Sequence, residues 1–142
     1  MIITAGIILL SIAGCVISYY FMAVSYGKMS PRQFFIPEFC RLDTGTCETL
    51  FSTREARIFG PSNAAIALCY YGLLVAATVT GWLDQKSIGS MFLLFSWISI
   101  VVSLYLGYRL LYKLKTSCTL CFASHGVNFL LSIFLFLRVK GM

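Results

Sequence analysis

Charge is scarce in this sequence. Asp, Glu, Lys and Arg make up 11% of its 142 residues, and five of them are acidic. A soluble domain normally carries about 25% charged residues, so an ordinary water-facing surface is excluded before any motif is read. Proline is scarce as well: Pro31, Pro37 and Pro61 all fall in one connecting stretch, which leaves the apolar runs without a helix breaker. Internal repeats and low-complexity tracts are absent, which excludes a repeat architecture or a disordered tail. No Lys or Arg precedes the first apolar run. A cleaved leader is therefore not expected, although Ile12-Ala13-Gly14-Cys15 resembles a lipoprotein cleavage box; the run continues unbroken through Val16, Ile17 and Phe21.

Apolar residues are plentiful. The mean hydropathy is +0.87. Four long apolar stretches run roughly from Ile2 to Val24, Ala64 to Leu83, Gly89 to Leu111 and Cys118 to Leu137, each close to the ~20 residues needed to cross a hydrocarbon core as a helix. The expected fold class is an all-α integral membrane protein, a bundle of four transmembrane helices in a single domain over residues 1–142. Residues 25–63 form the one long connection. With four spans, the first and third loops lie on the same side of the membrane whatever the absolute orientation. The formal net charge of +6 does not point to nucleic acid, because the Lys and Arg residues flank the spans, where they meet lipid phosphates.

The long loop is too apolar at Phe34, Phe35, Ile36 and Phe39 for a freely solvated segment, and Ser30-Pro31 reads as a helix start. We expect it to lie on the membrane surface and close over the bundle. Phe59-Gly60-Pro61-Ser62-Asn63 is a breaker cluster that delivers the chain into the second span.

The six cysteines are of two kinds. Cys15 and Cys69 lie inside spans and read as small apolar residues. Cys40 and Cys47 lie in the long loop, and Cys118-Thr119-Leu120-Cys121 opens the fourth span, so both pairs face one compartment. At a helix start the Cys118 and Cys121 thiols share a face and can close a reducible disulfide. Unpaired amides there, together with Lys113 and Lys115, favour the thiolate, the species that attacks a disulfide or an electrophilic quinone; Ser117 is a candidate N-cap. At ~100° per residue, Cys118, Cys121, His125, Asn128 and Ser132 fall within a ~80° arc. Lipid cannot satisfy such a polar stripe, so it faces the protein interior or a ligand. The stripe reads either as hydrogen-bonding glue between helices or as a headgroup site beside Cys121, and the two are compatible.

Taken together, the loop pair, Cys47-Glu48-Thr49-Leu50-Phe51-Ser52-Thr53-Arg54, Phe59 to Asn63 and Cys118 to Cys121 resemble the vitamin K epoxide reductase homologues. These are four-helix, quinone-linked thiol oxidoreductases that are functionally DsbB-like. The resemblance implies that Cys40 exchanges with a partner protein, that Cys47 passes electrons to Cys118 through an interhelical disulfide, and that Cys121 meets the quinone. It implies that Asn63 binds one quinone carbonyl and that Phe51 and Tyr70 line the ring, with the long loop capping the site. His125 stands where some members have a tyrosine that binds the other carbonyl, and Thr53 stands where a serine is common. The implied acceptor is ubiquinone, menaquinone or vitamin K. No metal and no nucleic acid are implied, and the expected partner is a separate thioredoxin-like, DsbA-like protein, because no such domain is fused.

Two rivals remain at this point: a membrane protein handling a soft cation with paired thiolates, and a structural four-span protein with a loop disulfide. Orientation carries a conflict of its own. The cysteine-bearing side holds eight Lys or Arg residues and the other holds Lys86, Arg138 and Lys140, so the positive-inside rule places the cysteines in the cytoplasm. The family resemblance places them on the periplasmic or lumenal side, which is the expectation adopted here.

Overall fold

In the computed structural model, which describes residues 1–26, 63–113 and 119–142, every regular element is helical. The helices are α1 (Ile2–Ser25), α2 (Asn63–Val79), α3 (Lys86–Tyr108) and α4 (Thr119–Gly141), with a 3-10 turn at Trp82–Asp84 and a π-turn at Arg109–Lys113 that continues α3. Cys40, Cys47, Phe51, Thr53 and the expected capping loop lie outside the described residues, as do Ser117 and Cys118.

The segments Ile2–Ala23, Lys86–Tyr108 and Leu120–Gly141 are long and apolar enough to cross a membrane. Helix α2 is shorter. Its 17 residues rise about 26 Å, a little less than the roughly 30 Å hydrocarbon core. The sequence places this span's end at Leu83, but the helix stops at Val79 and Gly81 takes a left-handed conformation, φ 76°, which glycine adopts without a steric penalty. The chain then turns through Trp82–Asp84, and α3 starts at Lys86, earlier than the expected Gly89. Helix α4 runs past the expected Leu137 to Gly141, carrying Arg138 and Lys140 in its last turn, where cations complement the helix dipole.

Helix α1 packs along both α2 and α4, and α3 packs along α4. The contact face of α1 is a row of Ile7, Ser11, Gly14 and Ser18, all buried. Small residues at helical spacing let backbones approach closely where lipid removes any hydrophobic drive for association. The polarity is accordingly the reverse of a water-soluble bundle: Ser11, Ser18, Ser96 and Ser132 are inside, while Leu9, Leu73, Val101, Leu104 and Phe129 are outside. Between them lies a core of Ile7, Tyr71, Leu74, Ala77, Leu83, Phe92, Leu131 and Leu135.

One end of the bundle is tied by Arg138, whose guanidinium donates to Thr4 of α1 and pairs with Asp84 in the α2–α3 turn. That places the start of α1, the α2–α3 turn and the end of α4 together. The end of α1 and the starts of α2 and α4 are therefore at the opposite end, so Asn63 and Cys121 share one side of the bundle.

Candidate functional site

Helix α4 opens at Thr119, so Cys121 lies in its first turn and is partly buried. His125 follows one turn deeper, also partly buried, with Phe122 edge-on at 6.5 Å between ring centroids. Its Nδ1 is buried and has no hydrogen-bond partner among the described residues. A polar nitrogen without a partner at membrane depth costs free energy. It is therefore an atom that a ligand carbonyl, hydroxyl or water would satisfy.

Below His125 the polar stripe becomes structural. Asn128 Oδ1 accepts a hydrogen bond from the Tyr71 hydroxyl of α2, and Asn128 Nδ2 donates to Ser103 Oγ of α3 at 3.2 Å. One side chain of α4 thus joins both neighbouring helices directly beneath His125. Ser124 approaches the same Tyr71 hydroxyl. Ser132, one turn further on, is buried. The stripe therefore acts as glue at Asn128, while His125 Nδ1 has no partner among the described residues.

Tyr71 was not singled out from sequence. It is 1% exposed, and its ring fits against Gly14 of α1, where an added Cβ would come within 2.6 Å of the ring. Its neighbour Tyr70 turns to α3. The Tyr70 hydroxyl donates to the Phe92 carbonyl at 3.4 Å, and its ring packs on Phe92 with centroids 6.1 Å apart. Adjacent residues on a helix point about 100° apart, so one tyrosine faces α4 and the other faces α3. Sequence spacing alone gives no preference between them; the row Ser11, Gly14 and Ser18 on α1 was the available sign of where a large ring would be received.

Asn63 is the first residue of α2 and is partly buried. Cys15 packs against the core, and Cys69 is exposed on the outside of α2. Among the described residues no three His, Cys, Asp or Glu side chains converge to hold a metal.

The arrangement at this end is a half-buried thiol on the first turn of a helix, an imidazole one turn below it with a nitrogen that has no partner among the described residues, and a bonded polar floor beneath both. Sequence comparison adds that the profile of the vitamin K epoxide reductase family matches residues 5–136. The chain belongs to the vitamin K epoxide reductase family. A search of curated proteins finds no match. Family membership makes the chain a multi-pass integral membrane enzyme with a four-helix fold, a thiol–disulfide oxidoreductase that reduces a quinone. Members of the vitamin K epoxide reductase family generally work with a thioredoxin-like partner.

Proposed function

We propose that this enzyme carries electrons from a separate thioredoxin-like protein to a membrane quinone along the order Cys40, Cys47, Cys118, Cys121. The partner's dithiol reduces the Cys40–Cys47 disulfide, and Cys47 then attacks the Cys118–Cys121 disulfide at Cys118. The released Cys121 thiolate is the group that meets the quinone. In the net step the two thiols of Cys118 and Cys121 become a disulfide, and the quinone takes up two electrons and two protons to become the quinol. Run repeatedly, the cycle leaves the partner oxidised and supports disulfide formation.

The observation that carries this reading is the position of His125. It lies one turn below Cys121, with a buried nitrogen that no described residue satisfies. In this role His125 and Asn63 hold the two quinone carbonyls. Phe51 and the face of Tyr70 line the ring, and Thr53 supplies a hydroxyl from the loop. Tyr70 contributes area only, because its hydroxyl is engaged by Phe92. The single domain spans the whole chain, and the cysteines face the periplasm or a lumen despite the eight basic residues on that side. Ubiquinone, menaquinone and vitamin K all fit this chemistry.

The test is disulfide trapping. In a Cys40→Ala/Cys121→Ala variant treated with the mild two-electron thiol oxidant diamide, Cys47 and Cys118 lack their resolving thiols and should accumulate as an interhelical disulfide, visible by mass spectrometry after proteolysis under non-reducing conditions. If the two cysteines stay reduced while the native protein turns over quinone, the proposed order is wrong.

A further inference from the structure

The two side chains assigned to the quinone carbonyls, Asn63 and His125, stand on different helices, α2 and α4. Among the described residues, those helices each pack along α1 rather than along one another. Their separation at the site therefore needs a further constraint, and a chain of polar contacts supplies one. The Tyr71 hydroxyl of α2 donates to Asn128 Oδ1 of α4, and Asn128 Nδ2 donates to Ser103 Oγ of α3 at 3.2 Å. Both polar groups of Asn128 are thus engaged, each on a different helix, which fixes the rotation of α4 as well as its distance from α2. Tyr71 is a stiff arm for this purpose, because its ring is 1% exposed and lodged against Gly14 of α1. Side chains on a helix lean toward its N-terminus, and on both α2 and α4 that is the end carrying Asn63 and Cys121. Tyr71 lies about 12 Å below Asn63 along α2, and Asn128 lies about 4.5 Å below His125 along α4. The cross-link therefore sits beneath the site itself.

We propose that Tyr71 and Asn128 are positioning residues for quinone reduction: the bond between them holds Asn63 and His125 at the separation that a para-quinone requires. The proposal rests on the headgroup reading given above. A para-quinone carries its two carbonyl oxygens on opposite edges of a rigid ring, so it cannot lengthen or shorten to follow its partners. When α4 turns or slides against α2, one carbonyl keeps its hydrogen bond and the other loses it. The thiols are less demanding, since reduction of the Cys118–Cys121 disulfide by a soluble dithiol needs only an accessible sulfur and nothing from α2. Loss of the Tyr71–Asn128 bond therefore weakens quinone binding selectively, by up to the worth of one carbonyl hydrogen bond, about tenfold in affinity. A bond that served only as glue between helices would show no such selectivity.

Steady-state kinetics of two variants test this. Tyr71→Phe keeps the ring and removes the hydroxyl, and Ser103→Ala frees the other side of Asn128 without touching α2. Arg138→Gln, in the tie at the far end of the bundle, is the control for a general loss of stability. Each purified protein is assayed with dithiothreitol as donor and a para-benzoquinone or para-naphthoquinone, whichever the wild type reduces, with the uncatalysed rate subtracted. Tyr71→Phe should raise the quinone KM about three- to tenfold, and Ser103→Ala should raise it too. Both should retain kcat at saturating quinone and the wild-type rate of Cys118–Cys121 reduction by the dithiol, and Arg138→Gln should match wild type throughout. The sharpest comparison is Tyr71→Phe in the His125→Phe background. With His125 gone there is no second carbonyl partner left to space, so the double variant should keep the KM of His125→Phe alone. If Tyr71→Phe does not fold, Ser103→Ala serves in its place, alone and with His125→Phe. An unchanged KM, a fall in kcat and dithiol exchange alongside it, or a KM that multiplies in the double variant would overturn the positioning role. The headgroup reading would still stand wherever His125→Phe alone raises KM. An unchanged KM in His125→Phe would overturn the headgroup reading itself.

Discussion

Gly14→Ala is a one-methyl change whose consequence can be worked from the packing. The new Cβ would lie 2.6 Å from both Cε2 and Cζ of Tyr71 and 2.8 Å from Cδ2. Carbon atoms pack best at about 3.5–4.0 Å, so the overlap is about 1 Å against three ring atoms at once. The ring has nowhere to retreat, because it is 1% exposed and its hydroxyl is bound to Asn128 on the far side. Overpacking of this kind costs about 1–3 kcal/mol, and alanine's better helix propensity returns up to about 1 kcal/mol. A net loss of up to about 2 kcal/mol follows, which is a deficit of about 1–3 kcal/mol against a glycine-to-alanine change that meets no neighbour, together with a displaced Tyr71–Asn128 bond and slower quinone reduction. Gly72→Ala and Gly126→Ala are the controls: among the described residues nothing lies within 4 Å of a Cβ at either position, so each should keep the propensity gain. Unfolding in mixed micelles with increasing denaturing detergent reads the difference. If Gly14→Ala proved as stable as the two controls, the packing of Tyr71 into α1 would be wrong.

The remaining predictions concern the polar contacts. In a double-mutant cycle of Tyr71→Phe and Asn128→Leu, the coupling free energy should be favourable, about 0.6 kcal/mol and up to about 1.7, the range found for interhelical hydrogen bonds in membranes; no coupling would mean the pair is not bonded. His125→Phe should raise the quinone KM about tenfold by removing the carbonyl partner, whereas His125→Tyr should largely retain activity, and steady-state kinetics will separate the two. Arg138→Gln should lower stability by about 1 kcal/mol or less, because Asp84 is 63% exposed and such pairs are worth little. That loss should shrink further in high salt, as thermal unfolding at two ionic strengths will show.

The helical membrane fold was legible in the sequence because lipid imposes a simple demand. Every backbone polar group must be satisfied within its own helix, so length and hydropathy are sufficient to find the elements. The ends of those elements were harder to read. Val79 to Leu83 continues the apolar pattern of α2, yet Gly81 breaks the helix inside it, and Arg138 looks like a span-ending charge until Thr4 and Asp84 provide partners. The stripe through Cys121, His125, Asn128 and Ser132 was visible from spacing. Its division into a bonded part at Asn128 and, at His125, a nitrogen without a partner among the described residues was not, because that depends on which rings α2 turns toward α4. Tyr70 and Tyr71 are chemically identical in sequence, and it is the notch at Gly14 that assigns them different neighbours. Cys40, Cys47, Phe51, Thr53 and Cys118 rest on motif resemblance and on family membership.

The central claim is that Cys121 is the thiol that passes electrons to the quinone. The most direct measurement is quinone reduction by purified protein with a reduced thioredoxin-like donor, comparing wild type with Cys121→Ala. Loss of quinol formation, with the protein still folded and Cys40 still exchanging with the donor, is the predicted result. Quinol formation at the full rate by Cys121→Ala would contradict it.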